Sequence, residues 1–467
     1  MFTFESLLDA ITVDVGREIL NPATGELIGR VPEHTTADVD AAIARAKAAQ
    51  PAWAALSDEE RVDYLNRVAD AIDENAEALA GILSREQGKP LNGPNARFEV
   101  GGCAAWTRVP AGTPLPVEVV VDDGETYAEM HYRPLGVVGA ITPWNWPMMI
   151  AIWQSIPSLR MGNTVVSKPS EYTPLSGLAI NHVLNTVLPE GVLNTVVGGG
   201  ELGARIVESE SIDKVMFTGS TKTGKKIIEA SSGNVKRLTL ELGGNDAGIV
   251  LDDVDPKAIA EGLFWGAFIN TGQTCAALKR LYVPDSIYDE VVDALAEVAG
   301  NMPMGDGLDE QNVLGPLQNE MQFNVVARLV QAAKDANARV VLGGDPDQDA
   351  PGFFYPTTLI ADIDPQNALV VEEQFGPALP IIRYTDLEEA IEQANALDVG
   401  LGGSVWSSDR DRAREVAARI QAGTVWINSH GTINPFVPFG GAKQSGYGQE
   451  FGVAGLKAVA QPQVIQG

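Results

Sequence analysis

Residues 135–168, LGVVGAITPWNWPMMIAIWQSIPSLRMGNTVVSK, place a proline-bounded turn and an apolar helical segment between two apolar strand-like runs. The part from Leu135 to Trp153 approaches the length of a membrane span, but two prolines and an asparagine interrupt its middle. A buried strand followed by a turn and a helix explains the pattern better. The stretch predicts a strand at 137–141, a helix at 148–159 and a strand at 163–168.

The alternation of strands and helices continues along the chain. It predicts a helix up to about Leu188, strands at 193–197, 214–217 and 236–241, and helices at 201–208 and 221–231. From Asp246 it starts again, with strands at 248–251, 281–283, 338–342, 369–373, 402–406 and 424–428 and helices at 257–269, 287–298, 386–397 and 410–420. Such alternation predicts doubly wound parallel sheets that bind ligands at the carboxyl ends of their strands.

The N-terminal part has a different pattern of predicted elements, with mostly helices. After a strand end and turn at 19–25, helical spacing runs over 36–55, 58–87 and 97–109, with Thr36 and Ser57 as predicted N-caps. Cys103 lies in the last helix among small and apolar neighbours, which favours a packing role. The run VEVVVDDGETYAEMHYRP at 117–134 alternates around Asp-Asp-Gly and predicts a hairpin that pairs with another subunit.

Composition narrows the class of protein. The 467 residues suffice for two or three domains, and the net charge of −29 disfavours nucleic acid and anionic membranes as partners. Two cysteines give no disulfide framework, which suits a reducing cytoplasm. The acidic N-terminus, MFTFESLLDA, lacks the basic region of a secretory signal. We expect a soluble cytoplasmic protein without a metal site.

One cysteine stands in a setting that suggests chemistry. Cys275 lies in INTGQTCAALK, residues 269–279, just after an apolar run. A lone cysteine is more often a small buried hydrophobe than a nucleophile. Three other stretches favour a catalytic role for Cys275. They are PWNWP at 143–147, LELGG at 240–244 and EEQFGP at 372–377. Each offers a polar group that thiol-based aldehyde oxidation needs.

Three glycine- or hydroxyl-rich turns are candidates for a dinucleotide. GGGELG at 198–203 has the spacing G-x-G-x-x-G, but the ribose-binding acid expected about 20 residues later is missing, and an ordinary turn explains it equally. SKPSE at 167–171 ends a strand and could hold the ribose hydroxyls, or form a surface ion pair. FTGSTKTG at 217–224 could receive a pyrophosphate, or simply cap a helix through Ser220 or Thr221.

Taken together, these segments resemble the NAD(P)-dependent aldehyde dehydrogenase superfamily from about Ile19 to the C-terminus. The matching stretches, in family order, are PWNWP at 143–147, KPSE at 168–171, FTGS at 217–220, LELGG at 240–244, GQTC at 272–275, EEQFGP at 372–377 and PFGGAKQSGYGQE at 438–450. Any one could arise by chance. The seven in order identify the family.

The resemblance implies a thiolate mechanism. Cys275 would add to the aldehyde, and the oxyanion of the thiohemiacetal would then expel hydride onto a nicotinamide, leaving a thioester for water to cleave. Asn145 and the Cys275 backbone N–H would form the oxyanion hole, and Glu241 would be the general base, with its pKa raised by burial. Without the resemblance, Asn145 is a turn residue and Glu241 a strand-end surface acid.

The resemblance also implies the cofactor site. Lys168 and Glu171 would hold the adenosine ribose, Ser220 the pyrophosphate and Glu373 the nicotinamide ribose. The full set of predicted cofactor residues is Lys168, Glu171, Ser220, Gly219, Trp144, Glu373, Phe375 and Gly203. An acid at Glu171 would repel a 2′-phosphate, which favours NAD over NADP, although a rotated acid beside Lys168 can tolerate the phosphate.

Positions that match the family's aldehyde funnel are mostly apolar. They are Trp146, Ile150, Trp153, Thr274, Ala276, Ser429, Ile433 and Phe439. With no evident arginine among them, aromatic or medium-chain aliphatic aldehydes fit better than succinate semialdehyde. The loop SHGTINPFV at 429–437 departs from the aromatic-bearing loops of familiar members, and the tryptophans and isoleucines could equally belong to the core.

The resemblance implies three structural parts and self-association. A dinucleotide domain would comprise residues 1–114 and 135–244, and a catalytic domain residues 245–445. An oligomerisation element would comprise 115–134 and 446–467, and we expect a homodimer or homotetramer. An exposed hairpin edge would otherwise invite uncontrolled pairing.

Three rival functions are weaker. A CoA-acylating semialdehyde dehydrogenase tends to lack the deacylating glutamate that Glu241 supplies. A cysteine esterase or thioesterase needs a histidine base, and of the four histidines only His430 is near an expected pocket loop. A catalytically idle relative would lack Cys275, Asn145 or Glu241, and all three are present.

Overall fold

The computed structural model describes residues 1–347 and 349–467. Its helices are α1 Phe4–Ile11, α2 Thr36–Ala54, α3 Asp58–Glu74, α4 Ala76–Gln87, α5 Ala96–Gly112, α6 Pro147–Arg160, α7 Pro174–Asn185, α8 Gly200–Glu208, α9 Thr221–Ala230, α10 Pro256–Phe268, α11 Tyr288–Gly300, α12 Glu320–Asp335, α13 Ala368–Val371, α14 Leu387–Asn395, α15 Arg410–Ala417 and α16 Gly452–Ala458. Its strands are β1 Arg17–Leu20, β2 Leu27–Val31, β3 Glu118–Asp122, β4 Tyr127–Pro134, β5 Val137–Ile141, β6 Thr164–Lys168, β7 Leu193–Thr195, β8 Lys214–Thr218, β9 Arg237–Glu241, β10 Asp246–Val250, β11 Leu278–Pro284, β12 Arg339–Leu342, β13 Thr358–Ala361, β14 Ala378–Tyr384, β15 Val399–Gly400, β16 Gly402–Trp406, β17 Thr424–Ile427, β18 Ala442–Lys443, β19 Gly446–Tyr447 and β20 Ala460–Gln466.

The opening stretch forms the centre of a six-stranded sheet with the order β19-β9-β8-β5-β6-β7. β5 runs parallel to β6, with Val138 opposite Val165, and every residue of both strands is buried. Only the short β19 is antiparallel, and it pairs with β9. Because helices cover both faces of parallel sheets, their strands are buried on both faces and rich in apolar residues. The predicted strand–helix–strand unit is confirmed.

A second sheet has seven strands in the order β12-β13-β14-β11-β10-β16-β17. All neighbouring strands in this sheet are parallel to each other except β12, which is antiparallel to β13. The strand predicted at 369–373 is wrong, since 368–371 form a single helical turn. Asn367 caps that turn by accepting the Leu369 N–H at 3.0 Å, and Leu369 and Val370 fill the core. Capping and packing override the strand preference of the valines.

The N-terminal helices need two corrections. Thr35, rather than Thr36, caps α2 and forms a capping box with Asp38, while the predicted box at Ser57 is confirmed. The predicted helix 58–87 breaks at Asn75 into α3 and α4. The Asn75 side chain accepts the Phe2 backbone N–H at 2.6 Å and donates to the Ala71 carbonyl at 2.7 Å, so the chain turns there. Cys103 is fully buried, which confirms its packing role.

A third, three-stranded sheet has the order β20-β4-β3. β3 and β4 form the predicted hairpin, and β20 adds antiparallel to β4. Its surface carries exposed apolar side chains, namely Val119, Val120, Val121, Val464 and Ile465. Over residues 1–347 and 349–467, no helix is both long and apolar enough to span a bilayer.

Candidate active site

The loop before Cys275 has an unusual backbone. After α10, Asn270, Thr271 and Gly272 adopt positive φ values of 50°, 55° and 75°. A Cβ atom at Gly272 would overlap the backbone oxygen of Gly376, so only glycine fits this crossing. Two loops with predicted roles, GQTC and EEQFGP, are therefore packed backbone to backbone. Cys275 itself is partly exposed.

Asn145 lies on the neighbouring loop between β5 and α6 and is almost fully buried. Its backbone carbonyl accepts hydrogen bonds from Lys89 Nζ at 2.8 Å and Asn270 Nδ2 at 2.9 Å. The adjacent Trp146 donates its indole N–H to Thr274 Oγ1 at 2.9 Å. The predicted oxyanion-hole residue and the predicted nucleophile are thus on two loops that side chains join directly.

A buried ion pair supports the Asn145 loop. Lys89 Nζ lies 2.6 Å from Glu99 Oε2, and both side chains are fully buried. Glu99 Oε1 accepts the backbone N–H groups of Met148 and Met149 in the first turn of α6, at 2.9 and 3.1 Å. The Lys89 ammonium also lies 3.6 Å from the Trp146 ring centroid. The carboxylate satisfies donors at a helix N-terminus while its partner fixes the preceding loop.

Glu241, at the end of β9, is buried rather than a surface acid. Within residues 1–347 and 349–467, neither of its carboxylate oxygens has a hydrogen-bond partner. Burial, with a further contribution from Glu450, raises the pKa of Glu241 well above its ordinary value. A carboxyl group with free lone pairs and a raised pKa can exchange a proton with water in the site.

Burial raises the pKa of Cys275 to about 12. Lys279 lowers that pKa, while Asp246, Glu373 and Glu241 raise it further. Ionisation of the thiol therefore depends on the charges around the loop.

The two glycines of LELGG have separate packing reasons. A Cβ atom at Gly243 would lie 2.7 Å from Glu373 Oε2, and one at Gly244 would lie 3.2 Å from the Cys275 carbonyl oxygen. The motif thus lets the predicted nicotinamide-ribose acid and the thiol loop approach the same turn. Side chains at these positions would push both away.

The predicted cofactor residues lie along the ends of β5, β6 and β8. Lys168 is buried, and its ammonium lies 3.7 Å from Glu171 Oε2. Ser220 caps α9 by accepting the Thr223 N–H, and Gly219 donates its N–H to the Glu241 carbonyl at 3.0 Å. Gly203 packs on the Lys168 stem, since a Cβ there would lie 3.6 Å from its Cδ.

The rings of Trp144 and Phe375 meet edge to face, with centroids 5.4 Å apart. The neighbouring Glu373 is partly exposed. These three predicted cofactor residues are not part of the lining of the apolar cavity described next.

An apolar cavity of about 710 Å³ opens onto Cys275. It is lined by Pro94, Phe98, Trp106, Trp146, Met149, Ile150, Trp153, Gly262, Trp265, Gly266, Ile269, Thr274, Cys275, Asn428, Ser429, His430, Gly431, Thr432 and Ile433. Of the predicted pocket residues, Ala276 and Phe439 are not in this lining. Phe439 is buried one layer behind it, stacked on Phe451, which in turn packs edge-on against Trp153.

Several aromatic side chains in the wall of this cavity were not predicted from the sequence. Phe98 and Trp106 come from α5, and Trp265 comes from α10. Phe98 is half exposed on a helix whose other face is buried. An aromatic residue on the polar side of an amphipathic helix was the available signal for this wall of the cavity. Only the tertiary fold brings α5 over the thiol.

His430, the base that a cysteine hydrolase would need, is engaged elsewhere. Its side chain is fully buried, with Nδ1 2.8 Å from Ser404 Oγ and Nε2 3.6 Å from Asp246 Oδ2. Among the described residues, no cluster of three or more histidine, cysteine, aspartate or glutamate side chains could hold a metal ion.

Comparison with known proteins points to one family. The family model "Aldehyde dehydrogenase family" matches residues 13–465. A phenylacetaldehyde dehydrogenase of Pseudomonas fluorescens is 37% identical over 457 residues, covering 94% of this chain and 90% of the relative.

Solved structures agree. A putative aldehyde dehydrogenase from Burkholderia cenocepacia superposes with a TM-score of 0.93 at 39% identity, covering 98% of this chain and 95% of the other. PnpE, known from Pseudomonas sp. WBC-3 and solved in complex with nicotinamide adenine dinucleotide, superposes with a TM-score of 0.93 at 37% identity, covering 97% and 94%.

Proposed function

The chain belongs to the aldehyde dehydrogenase family, and we propose that it oxidises an apolar aldehyde, aromatic or medium-chain aliphatic, to the carboxylic acid with NAD as the hydride acceptor. The observation that carries the proposal is the position of Cys275. The thiol lies at the apolar cavity, next to the loop on which Lys89 and Asn270 hold Asn145.

In the first step, the Cys275 thiol gives its proton to water in the site, and its sulfur bonds to the aldehyde carbon. The carbonyl oxygen becomes an oxyanion, which the Asn145 amide and the Cys275 backbone N–H would stabilise. Because the Asn145 backbone is fixed from two sides, its amide needs little reorganisation when this charge develops. Each such donor contributes about 2.7–4 kcal/mol to the barrier reduction.

The residues near Cys275 suit a dinucleotide. The Lys168 and Glu171 pair offers an ammonium and a carboxylate to ribose hydroxyls, and the Ser220-capped start of α9 offers N–H groups to a pyrophosphate. When bound, NAD supplies the acceptor for the hydride that the thiohemiacetal carbon loses. Glu373, Phe375 and Trp144 would border the nicotinamide end, and Gly203 and Gly219 the strand ends.

Glu241 then drives release of the acid. As a carboxylate it takes a proton from water, whose oxygen attacks the thioester carbon. The carbon–sulfur bond breaks, and the proton held by Glu241 passes to the leaving sulfur, so Cys275 returns as a thiol and Glu241 as a carboxylate. The raised pKa makes the Glu241 carboxylate a stronger base. It also means that the carboxyl group ionises only at higher pH. A CoA-acylating enzyme needs no such base, so the position of Glu241 favours hydrolysis.

The substrate class rests on the cavity wall. Within the part of the chain that the structure describes, the lining contains no arginine or lysine. The second carboxylate of succinate semialdehyde would lose its hydration there without a counter-charge. Aromatic rings of Trp106, Trp153 and Trp265 instead suit a flat or extended apolar group. The phenylacetaldehyde-oxidising relative agrees with this preference.

We propose that the three-stranded sheet forms a homodimer or homotetramer, because its exposed valines and isoleucine are adjacent to free strand edges. We assign the cofactor to the part containing the six-stranded sheet, and the thiol to the part containing the seven-stranded one. Two free cysteines suit a cytoplasmic location.

Absorbance at 340 nm tests the proposal. The substrates are phenylacetaldehyde, hexanal and succinate semialdehyde, each with NAD and with NADP, for wild type and Cys275→Ala. We expect reduction of NAD with the apolar aldehydes, lost in Cys275→Ala. Reduction confined to succinate semialdehyde would overturn the substrate class. Activity that survives in Cys275→Ala would overturn the mechanism.

A further inference from the structure

Lys279 is a buried cation four residues after Cys275, and it is the second residue of β11. Its side chain is 2% exposed. The ammonium donates to the Cys275 backbone carbonyl at 2.5 Å and lies 3.0 Å from Glu373 Oε1. One side chain thus contacts both the thiol-bearing residue and the predicted nicotinamide-ribose acid.

We propose that Lys279 is a positioning residue that couples the nucleophile to the cofactor site, by holding the Cys275 backbone and the Glu373 carboxylate in one arrangement and by favouring the thiolate. The inference rests on the proposed function for the roles of Cys275 and Glu373. It adds a residue to that site and a reason why thiol and cofactor are oriented together.

The surroundings of Glu373 leave room for this role. Oε2 faces Gly243, where a Cβ atom would lie at 2.7 Å, and Oε1 faces Lys279. Lys279 therefore holds one oxygen, Gly243 leaves space for the other, and the side chain is 27% exposed. The open side can accept ribose hydroxyls while the ammonium offers a counter-charge. Burial, with a further contribution from Asp246, raises the pKa of Glu373, and Lys279 opposes that rise.

Lys279 also has the right sign of charge for the thiol. The groups facing Cys275 from the neighbouring elements are Glu241 at the end of β9, Asp246 on β10 and Glu373 after α13, all acids. Each acid disfavours a thiolate, and Lys279 opposes them. An ammonium is costly to bury, so its placement here is explained by partners that carry negative charge or acquire it.

The backbone of Lys279 is itself anchored. Gln374 donates its side-chain amide to the Lys279 carbonyl at 3.1 Å and to the Ala378 carbonyl at 2.6 Å. The residue after Glu373 therefore fixes the strand from which Lys279 extends. The ammonium and its acid partner are held by the same short segment, which makes their separation a fixed feature of the fold.

The test uses Lys279→Met, which keeps the length of the side chain and removes its charge, and Lys279→Arg, which keeps the charge. Lys334→Met is the matched control, because Lys334 forms a 2.6 Å ion pair with Asp345 on the exposed side of α12. Two measurements need no turnover: the rate of Cys275 alkylation by iodoacetamide from pH 6 to 10, read by peptide mass spectrometry, and NAD affinity by calorimetry.

In Lys279→Met we expect the alkylation profile to move up by about one pH unit, which lowers the rate about tenfold at a fixed pH. We also expect NAD to bind about tenfold more weakly, because Glu373 loses the ammonium that opposes the rise in its pKa and fixes one of its oxygens. Lys279→Arg should recover most of both effects, and Lys334→Met should match wild type. A structural role alone would not move the alkylation profile.

Wild-type values for both measurements in Lys279→Met would overturn the inference, and so would a change confined to one of them. If Lys279→Met does not fold, Lys279→Gln takes its place under the same criteria. Aldehyde oxidation by wild type is measured separately. If wild type oxidises aldehydes but Lys279→Met shows neither effect, the inference is rejected and the proposed function stands. If wild type is inactive but the alkylation profile of Lys279→Met is shifted, only the proposed function is rejected.

Discussion

The ammonium of Lys89 lies 2.8 Å from the backbone carbonyl oxygen of Asn145, in a region where both residues are buried. Through this contact the ion pair between Lys89, in the loop after α4, and Glu99, on α5, reaches the loop that carries the predicted oxyanion donor.

Removing Lys89 should destabilise the protein and slow catalysis. Lys89→Met leaves Glu99 buried without its partner, which should lower the free energy of unfolding by about 3–5 kcal/mol. Urea unfolding measures this change. Arg30→Ala, which breaks an exposed pair with Glu18, is the control and should cost less than about 1 kcal/mol. Equal losses in the two variants would contradict the role of the buried pair.

Glu241 should set the pH dependence of acid release. Because its pKa is raised, the carboxyl stays protonated at low pH and the base form appears as the pH rises through that pKa. The steady-state rate should therefore increase with pH, whereas Glu241→Gln should lose this rise and accumulate the thioester. Stopped-flow burst kinetics and intact mass spectrometry detect both changes. A Glu241→Gln profile that keeps the wild-type rise would assign the base to another group.

A positive charge in the cavity wall should change substrate choice. Ser429→Arg would give a second carboxylate a counter-charge, so kcat/KM for succinate semialdehyde should rise relative to hexanal by about tenfold or more. Val437→Arg, at a half-exposed position outside the lining, is the matched control. An unchanged ratio in Ser429→Arg would show that the substrate does not reach this wall.

The three-stranded sheet should be the site of self-association. Val119→Lys combined with Val464→Lys introduces charge on its exposed apolar surface. We expect a smaller assembly by light scattering after size-exclusion chromatography, since desolvating a lysine at an interface is costly. Val235→Lys, at an exposed valine far along the chain, should keep the wild-type mass. A variant of the sheet that keeps the wild-type mass would move the interface elsewhere.

The pattern of strands and helices was predictable because parallel strands are apolar on both faces and the helices between them are periodic. Local chemistry also located the turns, as the Ser57 capping box shows. The helix at 368–371 was missed because its valines favour a strand, and only Asn367 and the surrounding core decide otherwise. Helix α12 and strands β13 and β14 were missed as well.

The candidate site divides in the same way. Cys275, Asn145 and Glu241 stand in short motifs, so the resemblance could locate them. Lys89 lies in the loop between α4 and α5, whereas Glu99 and the aromatic rings of the cavity wall belong to α5, whose sequence indicates only burial or amphipathicity. Their relation to the thiol depends on how α5 packs against α6, and no local pattern encodes that contact.

The crossing of Gly272 over the Gly376 carbonyl has a practical consequence for protein engineering. Variant libraries aimed at new aldehydes can randomise the cavity wall at positions such as Ser429 and Ile433, which line the cavity. They should leave Gly272 fixed, because any larger residue there displaces two loops at once. Selection for new specificity will therefore recover changes in the wall and keep this crossing intact.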